Sequence, residues 1–151
     1  MKVQLDVLQT FVDSLISVTE EIVSFPLKHS KENITVVDAE EIRIQSKGVF
    51  RSWMCFQLER SLEEAIIRKM LDGREPNPDL RKLYLGEYIN ILSGHALTRI
   101  NNIVGQSSRL TVPIVGARPE IEEKTCEQSC VIAFTSEYGN MLLRINYELW
   151  E

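Results

Sequence analysis

The sequence predicts an α+β fold, an antiparallel β-sheet with helices packed on it, in the order α-β-β-α-α-β-β-β. Three observations carry this expectation. Two long stretches, residues 4 to 24 and 77 to 104, place apolar residues at steps of three and four, which marks one face of a helix. Other stretches alternate apolar and polar with period two, most cleanly from residue 140 to 149. The two patterns come in runs and do not alternate strictly, so helices and strands are segregated. At 151 residues the chain suits one domain, residues 1–151, with a sizeable core.

The first helix carries Leu5, Leu8, Val12, Leu15, Thr19 and Ile22 as a stripe, and Pro26 stops it. Polar residues 28 to 33 are expected to form a loop. Residues 34 to 46 and 49 to 58 then read as two extended segments joined by a turn at Ser46-Lys47-Gly48. Phe50, Met54, Phe56 and Leu58 share one face of the second. Ser61-Leu62-Glu63-Glu64 has the form of a capping box opening a short helix to Leu71, which buries Ala65, Ile66 and Met70 and is closed by Gly73.

The long helix follows. Asn77 is its cap, Pro78 its first residue, and Leu85, Ile89, Leu92, Ala96, Ile100 and Ile103 its apolar face. Beyond it, residues 109 to 115 form a strand interrupted by Pro113, which indicates an edge or a bulge. Residues 116 to 125 are an acidic exposed loop, and 128 to 135 a strand. Glu137-Tyr138-Gly139-Asn140 is a hairpin turn. The last strand points Met141, Leu143, Ile145, Tyr147 and Leu149 inward.

Composition narrows the function classes. The formal net charge is -5 with no basic stripe, which argues against nucleic acid as a partner. No apolar run approaches the roughly 20 residues that span a bilayer. The amphipathic start, with Asp6 and Asp13, is unlike a secretory signal, so a cytoplasmic location and no membrane partner are expected. Cys55, Cys126 and Cys130 are an odd set, expected to be reduced. With His29 and His95 as the two histidines, no zinc-type spacing exists and no metal site is expected. There is no phosphate-binding glycine loop and no nucleophile triad.

What remains is the polar face of the long helix. At about 100° per residue, Glu87, Asn90, Gly94, Thr98 and Asn101 gather there, with no bulky aliphatic residue beside them until Leu97. Side chains three apart have Cβ atoms roughly 5–6 Å from each other, so Glu87 and Asn90 can reach one target together. A carboxylate grips a cation; a carboxamide donates and accepts at once and so can orient a water. On spacing alone, such a pair is either a solvated helix face or a site. Asn and mid-helix Gly both disfavour the helix, Gly94 by about 1 kcal/mol, which points to close approach by another body or by a neighbouring helix of the chain.

The run Gly86-Glu87-Tyr88-Ile89-Asn90-Ile91-Leu92-Ser93-Gly94 resembles the E-x-x-N signature of the CheC/CheX/FliY family of chemotaxis phosphatases. The likeness extends over residues 49 to 149. It takes in the strand ending Phe56-Gln57-Leu58, the helix from Ser61 to Gly73, Pro113-Ile114-Val115, and Gly139-Asn140 before the last strand. One motif is present where the CheC branch has two, so the resemblance is to the single-motif CheX branch. The first hairpin departs from the family in having few glycines, and Tyr88 is bulky within the motif.

The resemblance implies a homodimeric phosphatase acting on the aspartyl phosphate of a CheY-like receiver domain. Glu87 would dock to the receiver's lysine, Asn90 would orient the attacking water, and magnesium would sit on the receiver, with no cofactor on this chain. Gly86, Gly94, Leu97 and Asn101 are expected to meet the partner. A non-catalytic CheX-like module that docks a receiver or another signalling protein is the alternative, and a structural subunit of a motility complex a third.

Overall fold

The computed structural model describes residues 6–116, 126 and 128–149. Helix α1 (Val7–Val23) opens with Asp6 as its cap, the carboxylate accepting from the Gln9 N–H at 2.9 Å. It ends in left-handed Ser24, ahead of Pro26. Strands β1 (Lys28–Ser30), β2 (Ala39–Gly48) and β3 (Phe50–Glu59) precede helices α2 (Arg60–Met70) and α3 (Pro78–Val104). Strands β4 (Ser108–Leu110), β5 (Ile114–Val115), β6 (Gln128–Thr135) and β7 (Met141–Leu149) complete the described chain. All pair antiparallel, in the spatial order β1-β6-β7-β3-β2-β4, with β5 also on β2.

The α+β class and the element order are as the sequence predicts, with short β1 added and the strand over 109 to 115 split in two. One side of the sheet carries the core. Ile42 and Ile44 of β2, Phe50, Met54, Phe56 and Leu58 of β3, Ile132 and Phe134 of β6, and Met141, Leu143 and Ile145 of β7 are all buried against the helices. Helix α3 lies against β2, β4 and β5, while α1 packs beside it and reaches β1 and β6. The loop expected at 116 to 125 lies, apart from Gly116, outside the described residues.

Four local expectations are corrected. The segment read as a loop at 28 to 33 contains β1, which pairs by backbone with Ala133–Thr135; an edge position tolerates its polar side chains. The β-branched run from Ile34 to Val37 is not strand, because β2 begins only at Ala39. Ser46-Lys47-Gly48 is the end of β2. Lys47 and Gly48 continue the ladder to β4, and Ser46 Oγ shares a 2.6 Å bond with Ser52 Oγ. The turn is compressed onto Val49, with Gly48 at φ +119 where an added Cβ would lie 2.6 Å from the Ser107 carbonyl oxygen. The capping box does not form either. Helix α2 starts at Arg60 with Glu59 before it, and the Glu59 carboxylate accepts from Val37 N–H (2.9 Å) and Asn140 N–H (2.6 Å).

Helix α3 is fixed at several points. Asn77 Oδ1 accepts from the Leu80 N–H at 2.8 Å, with Pro78 in the first turn, and Gly105 closes the far end. Leu85, Ile89, Leu92, Ala96 and Ile100 are fully buried, as expected; Ile103 is exposed, and in the last turn Val104 packs against the core instead. Tyr88 is fully buried too, its hydroxyl bonded to Thr19 Oγ1 of α1 at 2.7 Å. Near its start, Arg81 bonds Glu40 of β2 at 3.0 Å and pairs with Glu63 of α2, whose side chain is 0% exposed.

Two predictions follow from the packing of α3. Arg81→Met strands the buried Glu63 carboxylate and should cost about 3–5 kcal/mol in urea unfolding, while adding Glu63→Met should recover most of that loss. At Gly94 an added Cβ would stand 3.7 Å from Leu110 Cδ1, an ordinary contact. Gly94→Ala should therefore raise stability by about 0.5–1 kcal/mol, read as a higher melting temperature.

Candidate functional site

Buried residues on both sides of Glu87 and Asn90 decide where they point. Leu85, Tyr88, Ile89, Leu92 and Ser93 are all buried, which turns residues 87 and 90 outward from the helix. Both side chains are exposed, and neither makes a hydrogen bond or ion pair with a described residue. Among the described residues the carboxylate and the carboxamide thus have no competing partner.

They stand on one wall of a groove of about 860 Å³. That wall also carries Lys82, Leu83 and Gly86; the other is the segment Leu110–Val115. The facing wall has an unusual construction. Ser46 pairs with Leu110 and Arg43 with Ile114, so Ile44 and Gln45 of β2 face three residues, Thr111, Val112 and Pro113. The extra residue is a β-bulge. Thr111 holds it: its N–H donates to the Gln45 carbonyl at 2.8 Å, and its Oγ1 accepts from the Gln45 N–H at 3.0 Å. The interruption expected at Pro113 is therefore a bulge on an edge strand.

The two small residues of the motif face this wall. A Cβ on Gly86 would stand 3.8 Å from Val115 Cγ2, and one on Gly94 3.7 Å from Leu110 Cδ1. What approaches the glycines is a strand of the same chain. Gly86 lines the groove; Gly94 lies beyond it, half-buried.

Two residues expected to meet a partner are used differently. Leu97 is 5% exposed and part of the core, because it lies on the buried flank of α3, and so offers no surface. Asn101 is half-buried, its Nδ2 donating to the Ser108 carbonyl at 3.3 Å, which ties the end of α3 to β4. Residues that sequence reasoning missed are Lys82, Leu83, Ile91 and Val112. Leu83 and Ile91 are exposed beside the pair, contrary to the expectation that no bulky aliphatic precedes Leu97. The break at Pro113 was the available signal for Val112.

Other chemistry is thin. Burial pushes the Cys130 thiol up to about 11 and raises that of Cys55, so neither is a ready thiolate at neutral pH. Burial likewise raises the Tyr88 phenol, against the bond from Thr19, which removes it as a proton donor in the working range. Among the described residues no group of three His, Cys, Asp or Glu could hold a metal ion, and no helix is long and apolar enough to cross a membrane.

No family model and no curated protein matches the sequence, but solved structures match the fold over nearly the whole chain. The chain is similar to the chemotaxis protein CheX from Vibrio vulnificus, at 23% identity and a TM-score of 0.79, covering 98% of this chain and 100% of that one. It is similar to a CheC-like superfamily protein from a Shewanella species, at 26% identity and a TM-score of 0.76, covering 96% and 99%. A chain of the CheX–CheY–BeF3–Mg2+ complex from Borrelia burgdorferi matches at 13% identity and a TM-score of 0.74, covering 96% and 99%. The likeness covers nearly the whole chain, and the chain has the α+β fold of these CheX and CheC-like chemotaxis proteins.

Proposed function

We propose that this chain is a phosphatase that hydrolyses the aspartyl phosphate of a CheY-like receiver domain in chemotaxis or a related two-component pathway. The observation that carries the reading is the pair itself: Glu87 and Asn90 are exposed, without a partner among the described residues, and one helical turn apart on a helix packed against the sheet and α1. A phosphoryl group in transfer passes through a loose transition state, so catalysis lies mainly in positioning and charge stabilisation. Asn90, donating and accepting at once, orients the attacking water. Glu87 pairs with a lysine of the receiver and so sets the docked geometry. Magnesium belongs to the receiver, and no cofactor is assigned to this chain. The existence of a CheX–CheY complex for the Borrelia neighbour supports a receiver as the partner. We also propose a homodimer, acting in the cytoplasm.

The test is the decay of phosphorylated receivers from the source organism, with and without the protein. Asn90→Ala should leave binding intact and remove acceleration by on the order of 100-fold, the scale lost with one positioned polar group in an active site. Glu87→Ala should weaken binding about 10-fold or more, since a hydrogen bond to a charged group contributes about 1.5–3 kcal/mol. Binding without acceleration by the unsubstituted protein would refute the phosphatase and identify a docking module.

A further inference from the structure

Among the described residues the exposed large hydrophobic side chains are Val37, Leu80, Leu83, Ile91, Ile103, Val112, Val131 and Tyr138. Half of these, Leu80, Leu83, Ile91 and Val112, surround Glu87 and Asn90. Val112 is 81% exposed and Leu83 64%, and they stand on opposite walls of the same groove. Scattered exposed apolar residues need no explanation; apolar residues clustered around a polar pair that has no partner among the described residues mark an interaction surface.

Val112 is exposed by construction. A regular ladder would alternate residues 111 to 113 between the two faces of the sheet. The bulge lifts Val112 out instead, Pro113 cannot donate to the ladder, and the Thr111 hydroxyl satisfies the Gln45 N–H that the bulge would otherwise leave open. The apolar side chain is therefore held out toward solvent on a backbone that is hydrogen-bonded on both sides of it.

The occupant has the dimensions of a protein. From Leu80 to Ile91 the apolar shoulders extend along about 16 Å of helix, at 1.5 Å per residue. That is the scale of a protein surface, larger than a small metabolite. Its chemistry is fixed by the groove: a cation opposite Glu87, with an apolar side chain close by.

We propose that Val112 is a specificity-determining contact, which with Leu83 seats an apolar side chain of the receiver beside the lysine that meets Glu87. This rests on the receiver reading of the Glu87–Asn90 pair. The bulge thus selects which receiver docks, while Asn90 acts on whichever receiver has docked.

The experiment measures dephosphorylation of purified receiver domains, phosphorylated with acetyl phosphate, at a range of receiver concentrations. Val112→Glu should raise KM at least 10-fold and leave kcat within twofold, with an unchanged melting temperature. Val112→Ser should raise KM by a smaller factor. Val37→Glu, at another strongly exposed apolar position outside the groove, should change neither. A KM within twofold of the unsubstituted protein for Val112→Glu, or an equal rise for Val37→Glu, overturns the inference while leaving the phosphatase reading intact. If the unsubstituted protein accelerates no receiver, that reading fails, and the inference is decided by titration calorimetry. A 10-fold weaker Kd for Val112→Glu then supports it; an unchanged Kd, or no binding by either protein, overturns it.

Discussion

The rotation of α3 about its own axis is the constraint on which the site depends. A helix with a single apolar stripe could roll by several degrees and still bury that stripe. Here Tyr88 removes the freedom. It lies between exposed Glu87 and buried Ile89, and its hydroxyl is bonded to Thr19 of α1 at 2.7 Å. Arg81 adds a second anchor, reaching Glu40 on the sheet and Glu63 on α2. A buried ion pair is weak evidence for stability, since desolvation opposes it, but it is a strict condition on geometry. Together the two anchors hold residues 87 and 90 in one direction. A side chain that must meet a reacting centre in another molecule needs that precision more than it needs acid-base strength.

The facing wall answers a different requirement. An edge strand exposes unpaired backbone groups, and bulges and prolines are common ways to blunt it. The segment Leu110–Val115 has both, and the same devices that protect the edge also shape the groove. Leu110 and Val115 turn inward to touch the positions of Gly94 and Gly86, so the strand and the helix approach closely. The glycines of the motif thus serve the fold as well as the site, setting the distance between wall and helix.

Much of this was legible in the sequence. The α3 boundaries, its cap at Asn77 and most of its buried face follow from composition and period. The last strand's alternation gave β7 and its inward side. What failed was local and had local causes. The β-branched run Ile34–Val37 reads as strand by propensity, but pairing partners exist only from Ala39 onward. Ser61 and Glu64 have the spacing of a cap, yet Glu59 lies where the helix begins and spends its carboxylate on Val37 and Asn140. Lys28–Ser30 has no apolar signal at all, because an edge strand held by its backbone needs none. At the site, Glu87 and Asn90 were visible from spacing and resemblance. Leu97 was misassigned because a helix face about 100° wide blurs at its flank, and Val112 was missed because exposure in a bulge depends on register.

The sheet order has a consequence for how the molecule comes together. β7 lies between β3 and β6, in the interior of the sheet, although it is the last strand described; Phe50 pairs with Leu149 and Leu58 with Met141. Contacts between residues so distant in sequence must close large loops before they contribute, which slows folding. During synthesis α3 emerges before the strands that complete the sheet beneath the helices. Until β6 and β7 arrive, β1 has no partner and β3 has an open edge. The groove can take shape early, on α3 and the β2–β4 edge, while the far side of the sheet closes last. A nascent chain therefore holds the side of α1 that meets β1 and β6 uncovered for longer than a sheet built in sequence order would, a window open to a chaperone or a second nascent chain.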